Sequence, residues 1–161
     1  MVEKISELKP PRGFSRMMYR LPIQLYRAGL GWLLGGRFVL LTHIGRKSGQ
    51  PRKVTLEVVN HDPKSDTYYI ASGFGEKSDW FLNIQKNPHV TIQVGRRQTP
   101  ALAERLSPPE AGEQLLNYAR VHPAAMKNLL KFMGYRVNGS ESDYRALGQY
   151  VPIVALHPQP A

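Results

Sequence analysis

Val54, Leu56 and Val58 alternate with Lys53, Thr55 and Glu57, and a period of two places the apolar set on one face of an extended segment. The pattern predicts a half-buried strand over residues 52–60. A β-prone run, Arg37-Phe38-Val39-Leu40-Leu41-Thr42-His43, precedes it, and the tight stretch Gly45-Arg46-Lys47-Ser48-Gly49-Gln50-Pro51 between the two predicts a hairpin. Turn formers crowd residues 61–66, after which Thr67-Tyr68-Tyr69-Ile70-Ala71-Ser72 reads as a third antiparallel strand. Val90, Ile92 and Val94 alternate again with Thr91 and Gln93, a further strand is expected over 99–106, and Tyr150-Val151-Pro152-Ile153-Val154-Ala155-Leu156 closes the set.

Helical signals enter at five places. Ser78 or Asp79 is suited to cap a short helix carrying Trp80, Leu82 and Ile84, which Asn87-Pro88 stops. Leu115, Leu116 and Ala119 recur within 109–121, and Met126, Leu129, Leu130 and Met133 within 124–133, with His122-Pro123 between them. A short helix or turn is expected at 143–148. Upstream, Leu21, Leu25 and Leu33 lie beside Arg16, Arg20 and Arg27, with Trp32 near the end, as in a basic amphipathic helix over residues 12–34. Arg20, Pro22, Gln24 and Arg27 make that stretch too polar to span a bilayer. Its apolar face has two readings, packing on the domain or lying on an anionic membrane.

Six short strands, with helices at the N-terminus and late in the chain, predict a mainly β, α+β fold. The expected architecture is a six-stranded antiparallel barrel with peripheral helices, whose closure removes exposed strand edges. A βαβ alternation is missing and no Gly-x-Gly-x-x-Gly follows a strand, which excludes a Rossmann sheet. With 161 residues and 42% apolar content, the chain supports one core. The expected organisation is an amphipathic segment over residues 1–36 before a barrel over residues 37–161, within one domain overall.

Composition narrows the chemistry. The absence of cysteine removes disulfides, thiolate nucleophiles and Cys-ligated metals. The five histidines are scattered without ligand spacing, so no metal is expected. Net charge is +10 and concentrated: residues 1–53 hold eleven Lys and Arg against two acids, a field that favours anionic partners. No RNP-type aromatic pattern or recognition helix accompanies the charge, so nucleic acid is not an expected partner. The start carries acids and no apolar segment before a small-residue cleavage site, so a cytoplasmic protein is expected.

The densest cations sit in Gly45-Arg46-Lys47-Ser48-Gly49-Gln50-Pro51-Arg52-Lys53. Arg grips phosphate or carboxylate in two places, Lys adds a point charge, and glycine lets backbone N–H groups approach an anion. The turn therefore reads as an anion cradle, with a solvated hairpin as the competing reading.

These residues also carry a resemblance. Leu40-Leu41-Thr42-His43-Ile44-Gly45-Arg46-Lys47-Ser48-Gly49-Gln50-Pro51-Arg52, then Tyr69-Ile70-Ala71-Ser72-Gly73-Phe74-Gly75, Asp79-Trp80-Phe81-Leu82-Asn83-Ile84, Asn87-Pro88 and Val151-Pro152-Ile153-Val154-Ala155-Leu156 are together similar to the deazaflavin-dependent nitroreductase family, in order and spacing from Arg37 onward. The resemblance implies a split β-barrel of the FMN-binding type and the cofactor coenzyme F420. It implies an F420H2-dependent reductase passing hydride to a small-molecule electron acceptor such as a quinone, an enone or a nitro compound. Arg46, Lys47, Ser48 and Arg52 would hold the cofactor's phosphate and polyglutamate tail. Ala71, Ser72, Gly73, Phe74 and Gly75, with Trp80 and Asn83, would line the cofactor, although Trp80 also reads as a core aromatic. The family often carries Lys where this chain has Gly73, which keeps FMN as an alternative cofactor. Tyr144 and Tyr135, with Tyr150 after them, are the implied proton donors from the segment before the last strand. The resemblance also implies a homodimer, while the basic amphipathic composition of residues 12–34 is what suits a peripheral contact with the inner face of the cell membrane.

Overall fold

The computed structural model describes residues 2–4, 37–73 and 75–160. The expected amphipathic helix at 12–34, its Trp32, and Phe74 lie outside the described residues. Six strands form a closed barrel: β1 (Phe38–Ile44), β2 (Pro51–Asp62), β3 (Thr67–Ala71), β4 (His89–Val94), β5 (Arg97–Arg105) and β6 (Ile153–Pro158). Neighbours around the barrel run β1-β2-β3-β6-β5-β4, all antiparallel, with β4 returning to β1. The hairpin register pairs Ile44 with Pro51 and Phe38 with Glu57, so the cation-rich turn closes one end of the barrel.

The order departs from a plain meander at one point. β3 and β4 follow each other in the chain but do not pair, because helix α1 (Asp79–Lys86) carries the chain across the end of the barrel. β6 fills the resulting gap between β3 and β5. It is buried on both faces: Val154 and Leu156 point into the barrel with Val39, Leu41, Ile70 and Ile92, and Ile153 and Ala155 point into a second core. That double burial explains why this segment is an unbroken apolar run while β2 alternates. Along β2, Val54, Leu56 and Val58 pack on the barrel core as their alternation predicts. Val59 faces the second core by the same alternation, and a register shift between Val58 and Asn60 turns Asn60 to that side too, where its Nδ2 donates to Gln114 Oε1 at 3.0 Å, the re-aiming that a bulge produces.

The second core lies under helices α2 (Pro108–Val121), α3 (Pro123–Met133) and α4 (Glu141–Ala146). Leu115, Tyr118, Met126, Leu130 and Met133 fill it. Ser107 caps α2 by accepting from the Glu110 N–H, Ser140 caps α4 through Asp143, and α3 ends on Gly134 at φ 78°. Two glycines permit the tightest approach: a Cβ on Gly148 would stand 2.1 Å from the Pro108 carbonyl oxygen, and one on Gly112 would stand 2.3 Å from that of Arg145. Glu3–Lys4 pairs with Tyr135–Arg136 as a two-residue ladder outside the barrel. No helix among the described residues is long and apolar enough to cross a membrane.

Candidate functional site

The hairpin turn between β1 and β2 is built for close approach. Gly45 N–H donates to Gln50 O at 2.9 Å, Gly49 N–H donates to Gly45 O at 2.8 Å, and Gln50 N–H donates to Ser48 Oγ at 3.2 Å. A Cβ on Gly45 would stand 2.5 Å from Ser48 Oγ and would displace that hydroxyl, and Gly49 sits at φ +69°, where glycine is free of strain.

Helix α1 supplies the rest of the frame. Its inward face, Trp80, Phe81 and Ile84, plugs the end of the barrel core, and that leaves Asp79, Asn83 and Lys86 on a stripe facing the turn. All three grip Arg46. Asn83 Oδ1 accepts from Arg46 N–H at 3.0 Å and from Arg46 Nη1 at 2.9 Å. Asp79 Oδ1 accepts from Nη1 at 3.3 Å and Nη2 at 3.2 Å, and Lys86 Nζ donates to Arg46 O at 2.9 Å. The backbone N–H, the carbonyl and the guanidinium of one turn residue are thus all held by one helix. Behind Asn83 lies His43, which is 4% exposed and has Nδ1 3.1 Å from Asn83 Nδ2. Burial, with Arg52 nearby, lowers the His43 pKa to about 4 against the opposing pull of Asp79, so the ring is neutral at physiological pH.

Arg46 is therefore a framing residue whose charge is offset by Asp79. The cations left facing solvent are Lys47, Arg52, Lys53 and Lys86. A groove of about 540 Å³ opens between the turn and the C-terminal end of α1, with Lys47, Ser48, Gly49, Lys86 and Asn87 among its walls. Sequence reading missed Lys86 and Asp79, although their spacing around Asn83 is the periodic signal that joins them. Two flexible ammonium groups and a hydroxyl form a donor set for phosphate and carboxylate oxygens.

The other expected residues fall into two groups. Ala71, Ser72, Gly73 and Gly75 leave the end of β3 at the same end of the barrel. Ser72 is fully buried, donates from Oγ to Gly75 O at 2.6 Å, and lies 3.2 Å from Ser78 Oγ. Its own N–H donates to Pro152 O at 3.0 Å, which ties the loop to the approach to β6. A Cβ on Gly73 would stand 3.3 Å from the Phe132 ring, so α3 occupies part of the space that a side chain at this position would need. The Trp80 ring is buried in the barrel core, edge-on to Phe81 at 5.8 Å between centroids. Tyr144 and Tyr135 do not line the groove. Both pack on the second core, and Tyr135 lies 5.8 Å from the half-exposed Tyr150 ring. Among the described residues no cluster of His, Asp or Glu is arranged to hold a metal ion.

The family model of the F420H(2)-dependent quinone reductases matches residues 18–131, a span that covers the turn, the loop after β3 and α1. The chain belongs to this family. Its fold recurs in solved structures. An F420-H2 dependent reductase shares 22% identity at a TM-score of 0.52, over 75% of this chain and 94% of that one. A protein of unknown function from Agrobacterium tumefaciens shares 16% at 0.56, over 94% of this chain and 60% of that one. A heme storage protein from Vibrio cholerae shares 10% at 0.53, over 85% and 92%. The barrel hosts different chemistries, so membership of the F420H(2)-dependent quinone reductase family, and not the fold, makes this chain an F420-dependent reductase. The donor set at the turn fits that cofactor, whose tail carries a phosphodiester and carboxylates.

Proposed function

We propose that this F420H(2)-dependent reductase passes a hydride to an electron-poor, lipophilic acceptor of the quinone, enone or nitro class. The observation that carries the reading is the groove beside the turn, where Lys47 and Ser48 stand on a backbone that α1 holds at the Arg46 N–H and carbonyl, with Lys86 of α1 beside them. Cations on a fixed frame suit a polyanionic tail, because little ordering remains to be done when it binds. Lys47, Ser48, Lys86 and Arg52 would hold the tail, and Arg46 would set their positions.

The backbone of Ala71, Ser72, Gly73 and Gly75 lies at the same barrel end and would face the rest of the cofactor. When bound, F420H2 would supply the two electrons and two protons that turn a quinone into its hydroquinone, so no other reactant is needed. Tyr144 and Tyr135 are the proposed proton donors to reduced acceptor, since a phenol hydroxyl can donate at neutral pH. The protein's part is orientation and exclusion of water around the reacting carbons.

The test is a pair of titrations with oxidised F420 and with FMN, read by tryptophan fluorescence, followed by oxidation of F420H2 with a soluble benzoquinone. Selective F420 binding that weakens in Lys47→Ala and Lys86→Ala is expected. Selective FMN binding, or binding of neither, would overturn the cofactor assignment. Unchanged turnover in both Tyr144→Phe and Tyr135→Phe would remove the tyrosines from the reaction.

A further inference from the structure

The amide of Asn83 can sit in two orientations, and the structure contains a device that chooses between them. Asn83 Oδ1 meets two donors of Arg46, its backbone N–H at 3.0 Å and Nη1 at 2.9 Å. Asn83 Nδ2 must then donate, and the atom it meets is His43 Nδ1 at 3.1 Å. An amide nitrogen has no lone pair to accept with, so the arrangement is consistent only if His43 Nδ1 carries no proton. The ring is then neutral, with its proton on Nε2. The low exposure of His43 keeps it in that form.

We propose that His43 is a positioning residue for the anion-binding turn: by accepting from Asn83 Nδ2 it holds the Asn83 carbonyl toward Arg46 and so fixes where Lys47 and Ser48 stand. The functional weight of the proposal rests on the turn being the cofactor-tail site; the hydrogen-bond polarity itself does not. A proton on Nδ1 would set two donors against each other. Rotating the Asn83 amide to relieve this would turn its NH2 group against the N–H and guanidinium of Arg46, which costs both of those bonds. His43, Asn83 and Arg46 therefore form a chain in which the imidazole tautomer decides the backbone position two residues before Ser48. The charged groups facing His43 are Asp79 of α1, which favours a proton on the ring, and Arg52 of β2, which opposes it. Arg46, beyond Asn83, adds a further cation on the opposing side.

Two variants separate this role from simple packing. His43→Leu fills the space but offers no acceptor, whereas His43→Asn places a carbonyl near the position of Nδ1. The first readout uses the unliganded protein and the ring nitrogens of His43 by 15N-resolved NMR. A protonated Nε2 and a bare Nδ1 are expected from about pH 8 to about pH 5; a protonated Nδ1 overturns the proposal whether or not any cofactor binds. The second is hydrogen exchange at the Arg46 amide, with core amides of β6 as the reference for global stability. Exchange at Arg46 is expected to quicken by about tenfold in His43→Leu relative to that reference and to recover in His43→Asn. Equal change at both positions, or none at Arg46, reduces His43 to a packing residue. The third is affinity for oxidised F420, expected to fall by about tenfold in His43→Leu and to return in His43→Asn. Wild-type affinity in His43→Leu overturns the functional half of the proposal. If the wild-type protein does not bind F420, the cofactor reading fails, and the NMR and exchange results alone decide the positioning.

Discussion

Two segments leave strand ends at the same mouth of the barrel and are held in opposite ways. The turn after β1 is fixed from outside, by a stripe of polar side chains on α1 that takes the N–H, the carbonyl and both terminal guanidinium nitrogens of Arg46, and its own Lys47 and Ser48 stay exposed. The loop after β3 is fixed from within, by the buried Ser72 hydroxyl on Gly75 O and by Gly73 against Phe132. The first arrangement separates framing from binding: one set of side chains holds the backbone and another is left for a ligand. The second leaves little side-chain functionality free, so what that loop offers a cofactor is backbone. Substitutions at the turn should therefore divide into those that shift stability and those that shift only affinity, whereas substitutions in the loop should move both together.

The largest effect should come from the plug beneath both segments. Trp80→Ala removes a buried ring from the barrel core and is expected to cost about 3–5 kcal/mol, read by urea unfolding; a loss near zero would mean that the ring is not the plug that its burial indicates. Next is the pH dependence of the framed turn. His43 titrates near 4 in the folded protein against about 6.5 when unfolded. The unfolded chain thus binds more protons between those values, and stability, full at neutral pH, falls as pH drops from about 6.5 to about 4, by up to about 3 kcal/mol. Stability curves at fixed urea should show that slope in wild type and a flatter one in His43→Asn.

Ser72→Ala should cost about 1–2 kcal/mol for the lost buried hydrogen bond and should weaken F420 binding in parallel, because the loop has no separate frame. Unaltered affinity at lowered stability would break the comparison from that side. The smallest stability effects belong to the groove cations, Lys47 and Lys86, the second of which also donates to Arg46 O. Lys47→Ala and Lys86→Ala should each change unfolding by less than about 0.5 kcal/mol while lowering F420 affinity about tenfold, with a weaker salt dependence of binding than wild type. A large stability loss in Lys86→Ala would show that its bond to Arg46 O outweighs its place in the groove.

Much of this is legible in the sequence. The alternation of Val54, Leu56 and Val58 marks the inner face of β2, the Gly45–Gly49 turn marks the cation cluster, and Leu115, Met126 and Met133 mark helix faces that the second core covers. The family was legible as well, because its signature is a set of local runs at fixed spacing. Less legible were the roles within the site. Arg46 reads as the best phosphate ligand of the turn, since its guanidinium is matched to such oxygens; the structure commits part of that guanidinium to Asp79 and Asn83, residues more than thirty positions away. Lys86 reads as an ordinary helix-terminal lysine until its ammonium is seen on the Arg46 carbonyl. The resemblance implies Tyr144 and Tyr135 as proton donors, but their places on the second core follow from how the helices pack, Tyr144 from the close approach of α2 and α4 at Gly112.

The division has one physical cause. Period, turn chemistry and charge density are properties of neighbouring residues, so the sequence by itself determined six strands, a cationic turn and the class of ligand that turn suits. Which strand fills the gap between β3 and β5, which helix face grips Arg46 and which tautomer His43 adopts depend on burial shared between distant segments. Those choices were made only when the barrel closed, because desolvation and hydrogen-bond satisfaction are settled by whatever packs alongside and not by what comes next in the chain.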